Sequence, residues 1–254
     1  MKTSSKKILY FILPGILLFI AVQYTVLSII SVRQLVTNAS TASDTQANLD
    51  AITDTAWISL YKEKTWLESR LRVAKTDSIS LSINLKDSLM QLELKGVVLK
   101  SSKIVDYHAD RFFSLMNSTA YHHYFGTEVT GESAESTIQK VPIVLKKAPK
   151  DSLEYASQST TPDSTKTEEV HWVLELSNGN ILQIEGASDS GKQKKWKNGF
   201  WMKQNFKRIT SDLSQTIRFE VPEYKPTISI IIAEPDAKAI YRALPEKPSV
   251  CIRF

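Results

Sequence analysis

Residues 78–99 read SISLSINLKDSLMQLELKGVVL. Ile79, Leu81, Ile83 and Leu85 alternate with Ser78, Ser80, Ser82 and Asn84, so an extended chain here is apolar on one face and polar on the other. Lys86-Asp87 breaks the run. Met90, Leu92 and Leu94 then alternate with Gln91, Glu93 and Lys95, and Gly96 breaks again before Val97-Val98-Leu99. This pattern predicts a three-stranded antiparallel meander.

Moving toward the C-terminus, residues 104–125 predict a short helix over 106–116. Residues 141–145, VPIVL, read as a strand that Pro142 confines to an edge. Residues 148–169 are rich in Ser, Thr and Pro and read as a loop. Val170–Ser177 and Asn180–Glu185 flank Asn178-Gly179, a pair suited to a type I′ hairpin turn. A two-residue turn there sets Leu176 opposite Ile181 and Val173 opposite Ile184. Thr227–Ala233 is a further apolar strand. Pro235 opens a helix with Ala237, Ile240, Tyr241 and Leu244 on one face, Pro245 stops it, and Ser249–Phe254 returns as a strand. Residues 76–254 therefore predict a mostly β (α+β) domain, an antiparallel β sandwich or open barrel with two or three short helices. They are enough for one core. Strands outnumber helices, which disfavours a parallel sheet.

Toward the N-terminus, residues 49–75 follow a helical rule. Trp57, Leu60, Leu67, Leu71 and Ala74 recur at spacings of three, four and seven, with Lys64 interrupting. The stripe predicts a juxtamembrane helix that packs on its own domain, or a stalk that pairs with a second copy. Residues 31–48 are rich in Ser, Thr, Ala and Asn and read as a linker. Residues 8–30, ILYFILPGILLFIAVQYTVLSII, carry no charge. As a helix this stretch spans ~34 Å, enough for a hydrocarbon core of about 30 Å. It exceeds the usual secretory h-region and reads as an uncleaved anchor. Lys2, Lys6 and Lys7 precede it, so residues 1–7 form a cytoplasmic tail and 76–254 an exported domain.

The whole chain of 254 residues is 42% hydrophobic with one cysteine, which excludes a disordered polyampholyte, a collagen and a disulfide scaffold. An exported chain without an internal disulfide suits a bacterial envelope protein, placed here in the inner membrane with a periplasmic domain. The net charge of +5 divides into +3 before residue 31, +7 over 192–208 and −5 elsewhere.

That basic stretch, KQKKWKNGFWMKQNFKR, interleaves aromatic residues with lysines. Lys194, Lys195, Trp196, Lys197, Trp201 and Lys203 are the candidate binding residues. A patch of this sign attracts anionic polymers. Nucleic acid is excluded by the expected topology, leaving an anionic cell-wall polymer, lipid headgroups or an envelope protein. The plainer reading puts the aromatics in the core and the lysines on a wet face. His122-His123 on a strand would point to opposite faces, and His108 and His171 are distant in sequence. No metal-binding spacing, phosphate loop or nucleophile elbow occurs, so no catalytic residue, metal or cofactor is assigned. Cys251 reads as a small core side chain, with a nucleophilic role as the alternative.

The order of segments resembles the L,D-transpeptidase family, a β-rich fold that acts on peptidoglycan. Asp236–Pro245 followed by Val250-Cys251-Ile252 resembles its terminal helix and strand. Val170–Leu174 with Asn178-Gly179 resembles its mid-domain strand and turn, and residues 78–99 its opening meander. Active members carry a His-Gly segment and a Ser-His-Gly-Cys-type motif before the terminal helix. Residues 198–236 hold neither, so the resemblance implies a catalytically degenerate relative. The expected function is a non-enzymatic, membrane-anchored binding or scaffold module. The alternatives are a peptidoglycan-acting cysteine enzyme, and a structural subunit, a homo-oligomer, pairing through 49–75.

Overall fold

The computed structural model describes residues 4–41, 55–116, 118–140, 170–187 and 199–254. The opening meander is present as β1 (Ile79–Asn84), β2 (Leu89–Leu94) and β3 (Val97–Ala109), with Leu81 opposite Leu92 and Ile83 opposite Met90. Lys95 and Gly96 both take positive φ, 52° and 79°, as a two-residue type I′ turn requires. Five more strands lie among the described residues: β4 (Val129–Ser136), β5 (His171–Leu176), β6 (Ile181–Ala187), β7 (Thr227–Ala233) and β8 (Ser249–Arg253). Their spatial order is β1-β2-β3-β7-β6-β5-β4-β8, and the ring closes. The domain is mostly β, and its architecture is a closed barrel. Two of its pairings are parallel: β1 with β8, and β6 with β7.

Six helices lie among the described residues: α1 (Ser4–Thr41), α2 (Thr55–Val73), α3 (Arg111–Ser114), α4 (Ser118–Phe125), α5 (Gly199–Ile217) and α6 (Glu234–Ala243). The barrel is filled by side chains, as expected for eight strands. Leu81, Ile83, Met90, Leu182, Ile184, Trp172, Ile228, Ile230 and Ile232 are fully enclosed. α6 follows β7 at one end and sets Tyr241 5.8 Å from Trp172. α3 and α4 close the other end with an aromatic plug, where Phe113 stacks on Phe254 at 4.9 Å. α1 leans on this second end: Ser31 Oγ accepts the Tyr224 N–H at 3.1 Å, and Leu35 and Val36 touch the core.

The structure corrects several sequence expectations. Residues 106–109 continue β3, paired with β7 through Tyr107–Ile230 and His108–Ser229, so the helix begins only at Arg111. The β5–β6 hairpin pairs Trp172 with Ile184 and Leu174 with Leu182, one residue away from the expected register. Only Gly179 takes positive φ, and Leu176 N–H bonds to Asn180 O across a three-residue turn. That extra residue turns Trp172 and Leu174 into the barrel. α1 runs on to Thr41 through the expected linker, where no Pro or Gly interrupts it. The expected strand at 141–145 and loop at 148–169 lie outside the described residues. β4 and α5 carry no counterpart among the expected elements.

Candidate functional site

The largest departure concerns α2. Leu60, Leu67 and Leu71 face outward, 64, 48 and 64% exposed. The buried face is Thr65, Trp66, Ser69 and Val73. The reason lies in the wall beneath. Leu81, Ile83, Val250 and Ile252 point into the barrel, so period two turns Ser80, Ser82, Cys251 and Arg253 outward. A polar wall selects polar partners. Ser69 Oγ donates to Cys251 Sγ at 3.2 Å. Arg70 donates to both carboxylate oxygens of Glu93, the shorter bond 2.6 Å. Arg253, itself 7% exposed, pairs with Glu63 at 3.0 Å. The Arg70 and Arg253 guanidiniums both lie over the Trp66 ring, 4.7 and 5.1 Å from its centroid. These contacts hold the helix in one rotation.

α5 shows the same inversion. Trp201 seats its indole edge-on against His171 of β5 at 5.6 Å, and Phe200 stacks nearby. Lys207 Nζ donates to Glu135 of β4 at 2.9 Å, and Gln204 donates to the other Glu135 oxygen. Lys207 and Gln204 hold the Glu135 carboxyl below the usual carboxylate range. Beyond them the helix stands off the sheet, leaving a crevice of about 200 Å³ lined by Gln183, Glu175, Arg208 and Asp212. Burial pushes the Asp212 carboxyl up. Met202, Phe206, Ile209, Leu213 and Ile217 all face away from the barrel.

Of the candidate residues, Lys194, Lys195, Trp196 and Lys197 lie outside the described residues. Trp201 is half-buried on β5, and Lys203 is exposed. Two residues apart on a helix, they point about 200° apart. The four histidines are dispersed over β3, α4 and β5, and among the described residues no three ligand-type side chains form a metal-binding group. Cys251 is buried beneath α2, and burial pushes its thiol up to about 11. What the arrangement offers is a closed, filled barrel carrying two helices that dock by mixed polar and aromatic faces and present apolar ones. The α5 face had a sequence signal: spacings of four, three, four and four from Met202 to Ile217. No protein-family model, curated protein or solved structure is significantly similar to the chain.

α1 is long and apolar enough to cross a membrane over Pro14–Asn38. Ile16, Leu18, Phe19, Val22, Val26 and Ile29 are exposed along it.

Proposed function

We propose that this chain is a non-enzymatic scaffold of a bacterial envelope. It crosses the inner membrane once through α1, with its N-terminus in the cytoplasm, and holds its barrel domain outside. There it binds protein, pairing with a second copy of itself as a structural subunit of a membrane complex. The observation that carries this reading is the outward ridge of α2. Exposed Leu60, Lys64, Leu67 and Leu71 occupy alternating four- and three-residue steps, the seam spacing of a coiled coil, with half-buried Trp57 one step before them. The contacts of Ser69, Arg70 and Trp66 keep the helix from rolling its leucines inward. Exposed Lys64 interrupts the leucines mid-ridge, where one polar residue at a seam position selects register and oligomer state. Anchoring copies in one bilayer raises their effective concentration, so a short seam suffices.

The reading rests on α2 rather than on Trp201 and Lys203, which point to different sides of α5. The resemblance to L,D-transpeptidases enters it as a degenerate relative, with Cys251 packing beneath α2. The experiment is crosslinking of full-length Leu67→Cys, in a Cys251→Ala background, with a flexible bismaleimide in membranes. A dimer band that Leu60→Glu abolishes is expected. A chain that stays monomeric at every crosslinker concentration, and by mass photometry after solubilisation, overturns the proposal.

A further inference from the structure

α5 is amphipathic the wrong way round for a helix in water. Its stripe of Met202, Phe206, Ile209, Leu213 and Ile217 lies within one face at about 100° per residue. All five side chains are exposed, Met202 and Phe206 by 71 and 68%, and exposed Phe219 and Val221 extend the patch past the helix end. Exposed Lys203, Lys207, Thr210 and Ser214 line one border of the stripe. Fully buried Thr216 lies on the other, and its carbonyl oxygen accepts a hydrogen bond from Gln23 Nε2 of α1 at 3.0 Å.

That bond fixes the level of α5 against the anchor. Gln23 sits seven residues before Ile30 and ten before Arg33, the first charge, which is about 10–15 Å along the helix axis at 1.5 Å per residue. Interfacial helices bury their apolar face about 5–10 Å into the boundary between headgroups and acyl chains. The apolar stripe, the basic border and the contact with the spanning helix converge on one occupant.

We propose that α5 lies in the outer headgroup–acyl boundary of the bilayer that α1 crosses. Met202, Phe206, Ile209, Leu213 and Ile217 enter the acyl layer. Lys203 faces anionic headgroups, as does Arg218 just past the helix end, while Lys207 stays paired with Glu135. The inference rests on the reading of α1 as a membrane anchor. It makes the barrel a body held at two points, and the second contact fixes its tilt.

The test uses the full chain with Cys251→Ala, reconstituted in vesicles of phosphatidylcholine and phosphatidylglycerol. A nitroxide is attached in turn at Ile209→Cys, Leu213→Cys, Ser214→Cys and Val26→Cys, all exposed positions. Collisions with oxygen, which concentrates in the bilayer, are compared with those of a water-soluble nickel chelate. Ile209, Leu213 and Val26 are expected to favour oxygen, and Ser214 nickel. Nickel preference at Ile209 with oxygen preference at Val26 overturns the docking of α5 and leaves the anchor standing. Nickel preference at Val26 removes the anchor, and this proposal with it. Low access to both reagents at Ile209, with dipolar broadening between labels, assigns the face to a second copy and also overturns the proposal. Met202→Cys repeats the measurement if a label at Ile209 alters the near-ultraviolet dichroism of the chain.

Discussion

Cys251 is expected to be inert in the folded chain and to become reactive when α2 is loosened. Two routes lead to its modification. In the first, the reagent reaches the native thiolate. Burial raises the thiol from 9.0 to about 11. At about pH 8 that lowers the thiolate population from roughly one-tenth to roughly one-thousandth, ~100-fold less nucleophile. In the second route α2 lifts first and the exposed thiol has its ordinary reactivity. Lifting exposes Trp66 and Val73, which at ~1.5–3 kcal/mol per buried side chain sums to about 4 kcal/mol. At ~1.4 kcal/mol per decade this slows labelling ~1,000-fold. Whichever route dominates, maleimide labelling followed by mass spectrometry is expected to run at least ~100-fold slower than in the urea-unfolded chain. Trp66→Ala removes the largest apolar contact of α2 and the ring that two guanidiniums cover. Core Trp→Ala changes cost ~3–5 kcal/mol, and a loss of about 3 kcal/mol opens α2 often enough to accelerate labelling by about tenfold or more. Native labelling within about tenfold of the unfolded rate refutes the packing argument and favours a cysteine enzyme instead.

Glu135 ties α5 to β4, and its carboxyl lies below the reference value of 4.5 because Lys207 and Gln204 donate to it. A depressed acid stabilises the fold fully above its unfolded value and loses that contribution as pH falls through the lower folded value. Acidification below 4.5 is therefore expected to loosen the contact of α5 with β4, read as a change in Trp201 emission, and Glu135→Gln to remove that step. An unchanged acid transition in Glu135→Gln rejects the tie. Trp172 is fully enclosed against Tyr241. Trp172→Ala is expected to lower stability by ~3–5 kcal/mol in urea unfolding. A loss below about 1 kcal/mol would mean that the barrel interior collapses around the gap.

The meander and α6 were readable in the sequence because each obeys one period and ends at a breaker. Ile79, Leu81 and Ile83 alternate cleanly, and Ala237, Ile240 and Tyr241 share a helix face between Pro235 and Pro245. β4 was not readable: VTGESAES has little apolar surface, and Gly131 sits where Leu174 and Pro248 leave no room for a side chain. The face of α2 was misjudged for a non-local reason. Its own period marks the leucines as the packing side, but the wall it meets is polar. The parity of β1 and β8 decides that, far away in the chain. In α5 the charges of 192–208 overlap the start of an apolar step that runs on to Ile217. The register of β5 and β6 turned on whether the turn holds two residues or three. Barrel closure rests on β1 meeting β8, which no local pattern encodes.

That last pairing sets an order of events for a newly made chain. Ser249–Arg253 lies between β1 and β4, so the ring stays open until the final strand of this sequence is synthesised. Until then both edges are bare, and unpaired edges invite pairing with other chains. A contact between Ser80 and Ser249 forms late and slowly, because a long loop must close first. Its arrival converts an aggregation-prone open sheet into a wall with no edges.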